Sequence, residues 1–101
     1  MSTLDILNEL HIAEVEVLHD YLQIVFSKGV RLSVFNSYHY DGDSIVLVTG
    51  KQVQSVNESE SSIRIMLEDG SCLRIGMNDN DYNGPEAIVL KREGEPTMVW
   101  S

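Results

Sequence analysis

Apolar and polar residues alternate in two separated stretches of the chain, and the two stretches share one pattern. Leu22-Gln-Ile24-Val-Phe26 and Val30-Arg-Leu32-Ser-Val34 each place three apolar side chains on one face of an extended strand. The same spacing returns 41 residues later in Ile63-Arg-Ile65-Met-Leu67 and Leu73-Arg-Ile75, with Gly29 answered by Gly70. A three-residue loop, Ser27-Lys28-Gly29, pairs Phe26 with Val30, Ile24 with Leu32 and Leu22 with Val34. With Glu68-Asp69-Gly70 as its loop, the second copy likewise pairs Ile65 with Leu73 and Ile63 with Ile75. A two-residue loop would put the apolar sets on opposite faces, so the register follows from the pattern. Loops of this length are type I turns closed by a left-handed residue, the position where glycine is least strained.

The echo extends in both directions. Ile12 and Val15 become Val53 and Val56 upstream; Asn36, Tyr40 and Gly42 become Asn78, Tyr82 and Gly84 downstream at an offset of 42. Asp43-Ser-Ile-Val-Leu47 then becomes Glu86-Ala-Ile-Val-Leu90 at an offset of 43. The spacing therefore predicts an internal repeat, residues 12–47 and 53–90, within a single domain, 1–101. Each hairpin is preceded by a strand, at 12–18 or 52–57, and followed by a loop and an Ile-Val-Leu strand. Thr97-Met-Val-Trp100 reads as a closing edge strand, and Leu4, Leu7 and Leu10 as a short N-terminal helix capped by Ser2 or Thr3. The expected fold is mainly β: a compact antiparallel β-sandwich or half-open barrel built from two similar hairpin units. A helical turn opening at Asn83-Gly-Pro-Glu86 would make it α+β instead.

Charge narrows the range of partners. Sixteen acidic residues against seven basic ones give a net charge of −9, the opposite of the basic footprint that nucleic acid or an anionic membrane requires. A basic protein is the complementary partner. Cys72 is the only cysteine, and the first ten residues have neither a basic region nor a long apolar run, so a reducing, cytoplasmic setting is expected.

Several patterns bear on chemistry. Asp79-Asn-Asp81-Tyr-Asn83-Gly84 matches the first half of a calcium loop, but the twelfth position is Leu90 where a bidentate glutamate is needed. His11, His19 and His39 lack the paired spacing of zinc ligands. Acidic residues two apart are plentiful, but the chain has no serine-nucleophile motif and no Gly-rich phosphate loop. No enzyme activity, no metal and no cofactor are expected. The stronger candidates are the two repeated loops, which join Tyr38, Tyr40, Asp41 and Asp43 to Asp79, Asp81, Tyr82 and Glu86 with no lysine or arginine in either. Tyrosine supplies rigid contact area and carboxylates meet arginines, a composition suited to binding a basic protein. A ligand- or metal-binding module using the same acidic loops is the alternative, and a small hydrolase the second.

Four segments carry a family resemblance: Phe26-Ser-Lys-Gly-Val-Arg-Leu-Ser-Val-Phe-Asn36, Thr49-Gly-Lys-Gln-Val53, Leu67-Glu-Asp-Gly-Ser-Cys-Leu-Arg-Ile75 and Asn83-Gly-Pro-Glu-Ala87. Together they resemble small bacterial immunity proteins, the antidotes carried beside contact-dependent inhibition and other polymorphic toxins. The resemblance implies a non-catalytic inhibitor that binds and occludes one cognate toxin domain, often a basic nuclease. It carries over no site residues, because such proteins vary most where they touch the toxin.

Overall fold

The computed structural model describes residues 3–100, with side chains from residue 4 onward, so the candidate cap Ser2 lies outside the described residues. The protein is mainly β: among the described residues there are two antiparallel sheets, no helix of seven or more residues and no closed barrel. β1 (Ile12–Val17), β2 (Leu22–Phe26) and β3 (Val30–Val34) form a meander, and so do β5 (Val53–Glu58), β6 (Ser62–Leu67) and β7 (Cys72–Gly76). Between and after these lie three further strands, β4 (Tyr38–Tyr40), β8 (Ile88–Arg92) and β9 (Met98–Trp100). One sheet runs β1-β2-β3-β8-β9 and the other β4-β7-β6-β5.

The hairpins take the register that the apolar spacing predicts. Leu22 faces Val34 and Ile24 faces Leu32, while Ile63 faces Ile75 and Ile65 faces Leu73. All eight side chains are buried between the sheets. The first loop differs in detail from the predicted turn, because Lys28 (φ 63°) is left-handed as well as Gly29 (φ 72°). The second loop has only Gly70 in that region (φ 87°).

The likeness of the two units begins earlier and ends earlier than the sequence reading places it. Ile12 pairs with Phe26 and Val53 with Leu67, each followed by a one-residue irregularity before the next pair. Upstream, 3-10 helices at Thr3–Leu7 and Ile45–Val48 occupy matching places. Leu10 N–H donates to Leu7 O at 3.1 Å, and Lys51 N–H donates to Val48 O at 3.0 Å. Glu9 (φ 70°) and Gly50 (φ 92°), also 41 residues apart, share the left-handed region. The Ile45-Val-Leu47 run is thus a 3-10 helix that opens the second unit, not the strand that closes the first. After Val34 and Ile75 the two units diverge.

The units interlock. Each 3-10 helix packs against the first strand of the other unit. The strand following each meander crosses to the other sheet: β4 pairs with β7 and β8 with β3. A two-residue contact between His11 and Gln52 marks the corner where β1 and β5 meet. There Ile12 N–H donates to Lys51 O and Val53 N–H to Leu10 O, both at 2.8 Å. The crossovers differ in length, residues 35–37 in one unit and 77–87 in the other, and the longer one carries much of the candidate chemistry.

Asn36 secures the short crossover. It is 2% exposed, its N–H donates to Ala87 O at 3.1 Å, and its Nδ2 donates to Gly76 O at 2.8 Å. One side chain thereby ties the first crossover to the end of β7 and the start of β8. Replacing Asn36 with alanine is expected to cost about 1–3 kcal/mol by removing a buried bond and leaving the Gly76 carbonyl without it. Asn36→Asp should cost more, since it turns a carboxylate oxygen toward that carbonyl. Urea unfolding followed by tryptophan fluorescence measures both.

Candidate functional site

One end of the sandwich gathers four connections: the β1–β2 turn, the 35–37 crossover, the β5–β6 turn and the 77–87 loop. Backbone bonds hold the last three together. Ser37 N–H donates to Asp81 O at 2.9 Å, Gly76 N–H to Ser37 O at 2.9 Å, and Met77 N–H to Ser61 O at 2.9 Å. Asn83 Nδ2 donates to Phe35 O at 2.9 Å, clamping the long loop over the short one.

The loop's own conformation follows from its acids and amides. Residues Asp79–Asp81 form a 3-10 turn with a reciprocal cap, in which the Asn78 side chain accepts from the turn and Asp81 Oδ2 accepts the Asn78 N–H at 3.1 Å. The Asp81 carboxyl also lies where a Cβ on Gly76 would stand, so only glycine at the end of β7 admits this packing. Asp81 is therefore committed to shaping the loop, whereas Asp79 and Glu86 are exposed.

The predicted site residues fall into two groups. Tyr38, Asp79, Asp81, Tyr82 and Glu86 lie at this end. Asp41 and Asp43 follow β4 at the opposite end of β7, roughly 13 Å away at the usual strand rise over Cys72–Gly76. There Asp41 Oδ1 accepts the Cys72 N–H at 2.7 Å, so this carboxylate extends the edge pairing of β4 with β7. Tyr40 is half-buried against the core, and its ring covers Gly42 closely enough that a Cβ there would collide with it. Tyr38 also packs its half-buried ring against the core cluster. The two loops read as equivalent are thus placed differently: one closes a sheet edge, and the other caps the sandwich end.

Folding also brings in residues that sequence spacing does not flag. His19 and Asp20 of the β1–β2 turn share a cleft of about 490 Å³ with Phe35, Asn83, Gly84, Pro85 and Glu86. Glu58 Oε2 accepts the Trp100 indole N–H at 3.1 Å, placing both beside the β5–β6 turn that carries Glu60. Tyr21 and Phe35 stack at a tilt with ring centroids 5.2 Å apart. The end thus presents Asp20, Glu58, Glu60, Asp79, Asp81 and Glu86, and its four connections contain neither lysine nor arginine. Five of the chain's seven aromatic residues, Tyr21, Phe35, Tyr38, Tyr82 and Trp100, stand half-buried among them. Pairing of turns from distant parts of the chain assembles this group, so no local periodicity announces it.

Elsewhere two titratable groups are shaped by close neighbours. Lys51 Nζ bonds to Asp69, and Ser71 adds two further donors at 2.5 and 2.9 Å, so the Asp69 carboxyl is held well below the usual carboxylate range. Burial pushes the Cys72 thiol up, with Asp41 adding to the effect, which leaves it a weak nucleophile at neutral pH. Among the described residues no three His, Cys, Asp or Glu side chains are placed to hold a metal ion. No described helix is long and apolar enough to cross a membrane. The chain matches no protein-family model, no curated protein and no solved structure.

Proposed function

We propose that this protein is a non-catalytic binding protein that neutralises a basic partner protein by covering it, and that the partner is a toxin nuclease domain of the kind small bacterial immunity proteins inhibit. The observation that carries this reading is the sandwich end. It joins six carboxylates to five half-buried aromatic rings with no lysine or arginine in its connections. A nuclease groove is built to attract phosphates, and a carboxylate surface offers it a substitute charge pattern. Half-buried rings, two of which (Tyr38 and Trp100) pack on the core cluster, add contact area at little entropic cost. The net charge of −9 supplies the long-range field that accelerates such an encounter.

The test is affinity capture from the native host at low and high ionic strength, with the retained proteins identified by mass spectrometry. The expected result is one basic protein, held at low salt and released as the screening length falls from about 10 Å at 0.1 M to about 3 Å at 1 M. Its nuclease activity should fall when the captured pair is reconstituted. Retention of no basic protein, or of one whose binding ignores salt, would overturn the reading.

A further inference from the structure

A second surface has the opposite charge. On the outward face of the β4-β7-β6-β5 sheet, Arg64 of β6 lies directly across from Arg74 of β7, and His39 of β4 lies across from Arg74 on its other side. Like charges placed opposite each other on neighbouring strands destabilise a sheet. Both arginines are exposed, and among the described residues neither takes part in an ion pair. They line a concavity of about 320 Å³ with His39, Asp41, Met66 and Cys72. The one carboxylate there, Asp41, already accepts the Cys72 N–H. In a chain with sixteen acids, two adjacent guanidinium groups without a carboxylate partner form an unfilled demand for anionic oxygens.

The number of donors selects the ligand. Each guanidinium presents a planar fork that pairs with two oxygens. A carboxylate has two oxygens and satisfies one fork, leaving the other arginine as it was. A phosphoryl group has three terminal oxygens, each able to accept more than one N–H, so it meets both forks by sharing one oxygen between them, and it has a dianionic charge to match them. We propose that Arg64 and Arg74, assisted by His39, bind a phosphoryl dianion, either as free phosphate or as a phosphomonoester whose organic part rests on Met66 and Cys72. Because the net charge of −9 repels anions at long range, binding depends on these short-range forks. Arg74 and His39 also border the concavity that reaches Ser61, Asn78 and Asp81, so this surface adjoins the acidic end. Because the probes are small anions and the titration contains no protein partner, the proposal stands or falls independently of the immunity reading.

Calorimetric titration with inorganic phosphate and with phenyl phosphate tests it, at pH about 8.5, in chloride of matched ionic strength. This lies above the second pKa of about 6 of a phosphomonoester and above the higher second pKa of inorganic phosphate, so that both probes are dianions. Wild type should bind saturably. R64Q and R74Q should each weaken binding at least about tenfold, and R64K, which keeps the charge but loses the fork, should fall between. The control is R31Q, an identical charge change on the outward face of the other sheet, where Arg31 lies across from Lys91; it should bind as wild type does. Thermal melts in chloride check folding, and R64Q should melt no lower than wild type because a like-charge opposition has gone. Tighter binding of phenyl phosphate would assign the ester, and equal binding the free ion. Absence of saturable binding to either probe, or an equal loss in R31Q, would overturn the proposal.

Discussion

Truncating Leu90 to alanine is expected to destabilise the protein by about 2–5 kcal/mol, while the same truncation at Leu47 should change stability by less than about 0.5 kcal/mol. Both leucines end an Ile-Val-Leu run, and sequence alone gives no reason to separate them. Leu90 is 1% exposed on β8, which lies between β3 and β9 in the five-stranded sheet, and it faces Leu32 across the β3–β8 pairing. Removing its isopropyl group leaves a cavity in the core cluster that both units build, which a close-packed core closes only in part. Leu47 is 65% exposed on the 3-10 helix Ile45–Val48, where only Val48 is fully buried. Leu32→Ala and Leu73→Ala, at matching places in the two units and at most 2% exposed, should each fall in the larger range. Equilibrium urea unfolding compares all four variants. Comparable losses at Leu47 and Leu90 would mean that the Ile45-Val-Leu47 run is a buried strand after all.

That contrast marks where the sequence was legible. The hairpins were readable because two constraints coincide in each: strict alternation fixes the face, and a glycine at the loop's end fixes the loop length. The edge strand Met98–Trp100 and the buried Leu4 and Leu7 were readable for similar local reasons. The exchange of β4 and β8 between sheets was not, since it depends on which edge lies open after each meander closes. A three-residue apolar run does not distinguish strand from helix. Ile88–Leu90 becomes strand because β3 and β9 supply partners on both sides, whereas the bond from Lys51 N–H to Val48 O turns residues 45–48 into the corner.

The candidate site was partly legible for the same reason. Asp79, Tyr82 and Glu86 stand out as an acidic stretch with a tyrosine, and they lie together at the sandwich end. The Tyr-x-Gly echo that joined them to Tyr40 and Gly42 reflects similar turn composition, since Tyr40 lies on a strand and Tyr82 in a loop. Asp20, Phe35, Glu58 and Trp100 enter only through tertiary pairing, over separations such as the 42 residues between Glu58 and Trp100 and the 48 between Phe35 and Asn83.

Charge reversal at the sandwich end should have the second large effect. Asp20 and Glu86 flank one cleft, both are exposed, and neither carries a backbone bond that shapes the fold, so their substitution tests binding rather than folding. If a basic partner docks there, the pair Asp20→Lys and Glu86→Lys replaces two attractions with two repulsions. The expected loss is about 2–5 kcal/mol, or roughly thirtyfold to several thousandfold in affinity. Much of it should appear as a slower on-rate and a shallower salt dependence, because charges at the rim act mainly on encounter. Glu68 and Glu95 provide the control, since they lie in loops at the other end and their reversal changes the net charge by the same amount.

The central claim, that the acidic and aromatic end is the binding surface, therefore rests most directly on one comparison: the dissociation constants of wild type, the Asp20→Lys/Glu86→Lys pair and the Glu68→Lys/Glu95→Lys pair, measured by calorimetry against the captured basic partner at a single ionic strength. The account predicts that the first pair loses at least about thirtyfold while the second stays within about threefold of wild type. Equal losses from the two pairs, or a larger loss from Glu68 and Glu95, would contradict it.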